Sequence, residues 1–341
     1  MRVLALILAL IAGGCVETRY VVQAGLGQLD LWSRARSIQD VLADKGTDAR
    51  TRYLLELSVR ARVFAGERGL ASHGNYRTYV DLERSQVVWF LAASRPLELS
   101  PVTWNFPIVG SFPYLGWFSE TEARKIAGRL RADGYDVFMR RVHAYSTGGY
   151  FRDPVLSTML LGEDTAHLSL VNTLIHELVH ANVFIADQSI FNESIASFIG
   201  DAMAGEFLIA EYGQDSVDVQ VYRLSLEEDK ARVQRLTAAY RELEALYASD
   251  LTEAEKRKNK REITRGVRAE LDLSLVPNNA SLLGFKTYNS GLPELAALKE
   301  KCQTWPKFFA AIESLDARSF PREQEEDIGP VITRLAAAAC P

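Results

Sequence analysis

Two of the chain's five histidines fall in the stretch His176-Glu177-Leu178-Val179-His180. Spacing of i, i+4 puts both imidazoles on one face of a helix, one turn apart, so both can reach one metal ion. Glu177 follows the first histidine directly and would stand beside that ion, where it can take a proton from water. The chemistry this pattern predicts is metal-assisted hydrolysis, with Zn2+ as the expected ion.

A hydrolytic zinc site takes three protein ligands and keeps one position open. No histidine follows His180, which excludes the longer three-histidine pattern. The third ligand must then be a carboxylate. Asp187-Gln188-Ser189 reads as a turn, with Ser189 capping a second helix from Ile190 through Asp201. Glu193 falls in the first turns of that helix. Ala196, Ser197 and Gly200 follow it at i+3, i+4 and i+7, and their small size lets two helices approach closely. Asp187 reads as turn chemistry and Glu206 as too far along the helix, so Glu193 is the expected third ligand. Asp201 is either a partner for a ligand histidine's free N–H or a plain surface acid.

These residues need elements to hold them. Leu168 to Ile175 contains no Pro or Gly, and Leu170, Leu174, Ile175 and Leu178 form a core-facing stripe. Residues 21–70 carry apolar residues at helical spacing. Residues 87–92 read as a buried strand, and 105–118, rich in Gly, Pro and aromatics, as short strands and turns. Ser119 and Glu122 form a capping box for a helix to about Ala132, ended by Gly134, and 135–145 alternates as a strand. The expected fold is α+β, with a small mixed β-sheet, an active-site helix pair and a long helical hairpin over 221–272. Thr252 and Glu255 cap the hairpin's second helix. Its charges read as a solvated face; lipid contact by the basic run 256–261 is the lesser reading. Shorter helices follow Pro277, and no internal repeat is visible.

The chain has 341 residues, 48% of them apolar, and a net charge of −5. That allows a sizeable core, and the absence of a basic stripe argues against a nucleic-acid partner. Residues 3–12 form an apolar run after Met1-Arg2. The run is too short to span a bilayer comfortably and suits a secretory leader. It ends in Ile11-Ala12-Gly13-Gly14-Cys15, which resembles a bacterial lipobox. The expectation is a signal peptide over 1–14, lipid on Cys15, and a mature single domain over 15–341 tethered to the membrane. Val16, rather than an Asp, follows the cysteine, which favours the outer membrane facing the periplasm. In that oxidising space Cys302 and Cys340 can form a disulfide or remain two buried thiols.

The chain resembles a family of bacterial lipoproteins grouped as aminopeptidases of the gluzincin type, zinc metallopeptidases with the H-E-x-x-H helix. The resemblance is carried by Gly27-Gln28-Leu29, Asn75-Tyr76-Arg77-Thr78-Tyr79, Gly134-Tyr135-Asp136-Val137 and Ala144-Tyr145-Ser146-Thr147. It continues through Asp153 to Leu160, the His-Glu motif, Phe191-Asn192-Glu193-Ser194 and Pro277-Asn278-Asn279-Ala280. Relatives often carry a cysteine pair near Trp104 to Pro113, where this chain has Asn105 and Ser111. The resemblance implies a peptidase, and by its label one that removes N-terminal residues.

On that basis His176, His180 and Glu193 would hold zinc and Glu177 would be the general base. Gluzincins typically use a Tyr or His to stabilise the oxyanion. Tyr288 or Tyr145 is favoured here, with Tyr150, Tyr212 and His143 as further choices. A peptide would pair with an edge strand over 137–145 or 155–160, and Gly148-Gly149 would admit substrate backbone closely. The alternatives are a zinc endopeptidase, a hydrolase of another amide, or a non-catalytic zinc-binding envelope lipoprotein. The last has no use for Glu177.

Overall fold

The computed structural model describes residues 16–106, 110–148 and 151–340. The expected signal peptide, Cys15, Gly149 and Tyr150 lie outside the described residues. Contacts divide the chain into two compact units. Helix α1 (Val16–Arg34) belongs to the first. The second takes β1 (Arg36–Ser37), α2 (Ile38–Ala43), α3 (Ala49–Glu67) and β2 (Thr78–Val80). The first resumes with β3 (Val88–Ser94), β4 (Trp104–Phe106), β5 (Gly110–Phe112), β6 (Tyr114–Trp117), α4 (Glu120–Ala132) and β7 (Asp136–Val142).

The second unit continues with β8 (Val155–Leu156), a 3-10 turn (Ser157–Leu160), α5 (Ala166–His180) and α6 (Ser189–Tyr212). The unit boundary falls within α7 (Val217–Ala248), so the charged stretch 221–272 is shared between units. The first unit takes α8 (Glu253–Glu270) and most of α9 (Asn279–Tyr288). The last turn of α9, with α10 (Leu292–Cys302), α11 (Trp305–Glu313) and α12 (Gly329–Ala338), falls in the second.

In the first unit β3 is the middle strand of an antiparallel sheet, in the order β6-β3-β7. Its run Val-Trp-Phe-Leu-Ala-Ala is buried, apart from the half-buried Trp89, because both faces are covered. Ala123, Ile126 and Ala127 of α4 pack with Leu91 and Trp117 on one side; Phe90 packs with Ala280, Tyr114 and Phe138 on the other. Gly27 is required in α1, since a Cβ there would come within 2.3 Å of the Phe118 ring. The β4–β5 hairpin sets Asn105 directly opposite Ser111, the positions where relatives carry cysteines. At α4, Ser119 Oγ accepts the Glu122 N–H, but the Glu122 carboxylate pairs with Arg19 instead of closing the box. The Thr252–Glu255 box is complete. The basic run on α8 is largely spoken for: Lys256 donates to Tyr247 O, Arg257 pairs with Glu253 and Lys260 with Asp136.

In the second unit α5 and α6 form the central pair, and α3 packs on α5. The sheet β1-β2-β8 is mixed, antiparallel between β1 and β2 and parallel between β2 and β8. Cys302 and Cys340 form a disulfide with Cα atoms 4.9 Å apart.

The α+β class holds, with corrections. Among the described residues there are three small sheets rather than one. The strand after α4 stops at Val142, short of Tyr145. The helical stretch 21–70 is broken by β1, where Arg36 and Ser37 pair with Tyr79 and Thr78. Ser189 is the first helical residue rather than the cap; Gln188 holds the cap position, and its side chain bonds Arg322 O and the Glu325 N–H instead of the helix end. Among the described residues no helix is long and apolar enough to cross a membrane.

Candidate metal centre

Every residue of the centre belongs to the second unit. α5 is apolar on the side that meets the core, with Leu170, Leu174, Ile175 and Leu178 fully buried. That burial fixes the helix's rotation and turns His176 and His180 toward α6. Gly200 makes the approach possible: a Cβ there would lie 3.3 Å from the Cβ of His176. Glu193, one turn into α6, then faces both imidazoles.

His176 Nε2 lies 3.4 Å and His180 Nε2 3.5 Å from the same oxygen, Oε2 of Glu193. The three ligand atoms lie within 4.8 Å of one another. A charge-assisted N–H···O contact would close to about 2.7–2.9 Å. Two ligands on a tetrahedral ion at about 2.1 Å stand about 3.4 Å apart. The spacing therefore fits two atoms on one ion better than a direct hydrogen bond, and His176, His180 and Glu193 could hold a metal. Burial opposes charge on Glu193, but the His180 and His176 imidazoles outweigh it and hold the carboxyl far below its usual range. Burial alone would push His180 down; the Glu193 carboxylate reverses this and lifts it to about 9. An arriving cation therefore competes with a proton.

The residues flanking Glu193 explain its precision. Asn192 donates its side-chain N–H to Ile185 O at 2.8 Å and accepts the Ile185 N–H at 2.9 Å. This clamp fixes the α5–α6 turn, where Asp187 takes a left-handed φ of 60°. Ser194 Oγ donates to Thr287 O at 3.2 Å and accepts the Ser290 N–H at 3.0 Å. Those two bonds bracket Tyr288, whose ring stacks on His176 with centroids 6.2 Å apart.

Of the two roles left open for Asp201, ligand-histidine partner or surface acid, the structure shows neither: its side chain bonds Asn172 and is largely buried. It accepts from Asn172 Nδ2 at 2.7 Å, and Asn172 also donates to the Tyr222 hydroxyl. Tyr222 in turn donates to Asp201 O. The network ties α5, α6 and the start of α7 together one helical turn before His176. Of the rival carboxylates, Glu206 accepts from the Trp305 indole.

Glu177 is largely buried beside the cluster; burial raises its pKa, the two imidazoles oppose that, and Glu193 adds to it. Two neighbours went unrecognised in the sequence. Tyr76 is 1% exposed and holds a left-handed φ of 56°, with the Ser146 side chain near its buried hydroxyl. Burial, then the charges of Glu177 and Asp153, push that phenol well above its ordinary value. Asp153 is also buried. It accepts from the Thr147 N–H and hydroxyl, while its own N–H goes to Asn75 and its carbonyl accepts from the Tyr76 N–H. Asp153 thus anchors the loop that carries Tyr145. Tyr212 is bonded to Tyr53 and packed on His167, and His143 is exposed with its carbonyl bonded to Thr158.

A model of a protein family described as "Putative aminopeptidase" matches residues 19–327. The chain belongs to this family. No curated protein and no solved structure gives a match. The family match runs through both units and includes His176, Glu177, His180, Glu193 and Tyr288. Its label supports peptide hydrolysis as the chemistry of the chain.

Proposed function

We propose that this aminopeptidase-family chain is a zinc-dependent peptidase of the gluzincin type. His176, His180 and Glu193 would hold the ion, and Glu177 would be its general base. The observation that carries the reading is the convergence of two imidazoles on one Glu193 oxygen, at the separation two ligands of one ion require.

When bound, Zn2+ supplies Lewis acidity and makes a water acidic enough to ionise near neutral pH. The chain's own groups do the rest. Glu177 takes the water's proton and returns it to the leaving amine. Tyr288, held against His176 through Ser194, donates a hydrogen bond to the developing oxyanion. Tyr145 is the second choice for that role, on the loop that Asp153 anchors. Strand β8 ends the order of its sheet and leads through one 3-10 turn to α5. A peptide backbone would add along it by main-chain hydrogen bonds. The preference for an N-terminal residue comes from the family label; an endopeptidase would use the same groups.

Glu177→Gln tests the reading. It should retain about one equivalent of zinc and lower kcat on peptides by roughly 10²–10⁴-fold, the usual worth of a positioned base. Undiminished turnover in this variant would remove Glu177 from the mechanism.

We further infer that the chain is lipid-anchored through Cys15 in a bacterial envelope, at the outer membrane facing the periplasm. The support is the small-residue run before that cysteine after an apolar stretch. Expressed in a bacterium, the chain should enter the detergent phase, and Cys15→Ser should release or mis-sort it. Identical partitioning of the two would leave only an ordinary leader or an uncleaved anchor.

A further inference from the structure

A second concentration of charge lies in the same unit and serves no part of the metal centre. A cleft of about 490 Å³ opens between α3, the start of α2 and the β1–β2 pair. Leu42 and Val59 give it an apolar wall, and Arg60, Arg62 and Arg77 line it as well. Arg60 is neutralised, its guanidinium held by both carboxylate oxygens of Glu211. Glu56, one turn earlier on α3, adds its field to Arg60.

Arg62 and Arg77 are different. Neither side chain makes a hydrogen bond or ion pair among the described residues; Arg62 Nε is buried without a partner there, while the Arg77 side chain is exposed. Removing a guanidinium N–H from water without replacing its acceptor is costly, and a second cation beside it adds to the cost. Burial, then the charge of Arg77, lowers the pKa of Arg62. An arrangement held at such cost, open on one side to a cleft, lacks an acceptor that a ligand could bring.

We propose that this cleft binds a small molecule bearing a carboxylate or phosphate group on a partly apolar body. The oxyanion would sit between Arg62 and Arg77, and the body against Leu42 and Val59. Guanidinium groups suit this role because their N–H donors match the oxygens of a carboxylate or phosphate in pairs. The inference is independent of the zinc reading, because no metal ligand lines the cleft.

Calorimetric titration of the full chain at low ionic strength, with inorganic phosphate, phenyl phosphate and phenylacetate, tests it. At least one organic probe should bind with a Kd of about 1 mM or tighter. Arg62→Gln and Arg77→Gln should each weaken that binding at least about tenfold, as loss of a charged hydrogen-bond donor requires. The relative affinity of the three probes then separates phosphate from carboxylate recognition and free anion from organic anion. The unliganded Arg62→Gln chain should melt no lower than the parent, since the variant removes an uncompensated charge. Unchanged circular dichroism spectra of both variants check that the fold is intact. The proposal falls if no probe binds at about 20 mM, if both variants bind as the parent does, or if Arg62→Gln lowers the melting temperature.

Discussion

At the metal centre Glu193 stands between two imidazoles and offsets whatever positive charge they carry. In the cleft Arg62 faces a second guanidinium, that of Arg77, and its buried Nε has no acceptor among the described residues. Both clusters belong to one unit, yet they would respond to their ligands in opposite ways. The first is already compensated, so a cation enters only by displacing a proton. The second is uncompensated, so an anion relieves a standing repulsion. A ligand group set up in advance is therefore recognised by geometry in one case and by missing charge in the other.

Glu193→Ala breaks the contrast most severely, because it leaves two imidazoles with no carboxylate. Loss of stoichiometric zinc and of all peptidase activity is expected, read by elemental analysis and turnover. Asp201→Ala, which loosens the Asn172 tie behind His176, should cost only ~10–100-fold in metal affinity. The reverse ranking would place the third ligand on the wrong turn of α6.

A smaller effect should follow when the groups around the cluster lose one hydroxyl. Tyr288→Phe should lower kcat by about 10²–10³-fold with zinc retained, the usual cost of removing an oxyanion donor. Tyr76→Phe is the matched control, because its buried hydroxyl also lies in the field of Glu177. Should Tyr76→Phe carry the kinetic loss and Tyr288→Phe none, the donor role moves to Tyr76.

The smallest effect concerns Asp153, whose carboxyl burial lifts to about 6, with Thr147 pulling it down and Glu177 pushing it further up. An unfolded aspartate titrates near about 3.9. Between those values the folded chain binds the extra proton, so stability falls as pH rises from about 4 to about 6. The slope is at most ~1.4 kcal/mol per pH unit from this group. Denaturant unfolding of chelated protein across that window should show the slope in the parent and its loss in Asp153→Asn. Parallel curves would mean that Asp153 is ionised throughout.

Helix periodicity made part of this legible in advance. His176, Glu177 and His180 share one turn, so their common face needs nothing beyond the α-helix, and Gly200 as a small residue opposite them follows from the same reasoning. Glu193 lies 13 positions beyond His180 in sequence, and its selection depended on recognising a turn followed by a second helix. The roles of Asn192 and Ser194 were not legible, although they flank Glu193. Each acts on backbone groups, at Ile185 and at Thr287 and Ser290, that no spacing rule connects to them.

Arg62 and Arg77 mark the other extreme. They are 15 positions apart, on a helix and just before a strand, and no spacing rule joins them in sequence. By itself, the sequence determined which residues could share one helical face, which small residues would admit a neighbouring helix, and where an apolar strand had to be buried. Only tertiary structure decided which charges meet a partner and which do not. Local geometry follows from bonded periodicity, whereas charge compensation depends on what distant segments bring within a few ångströms.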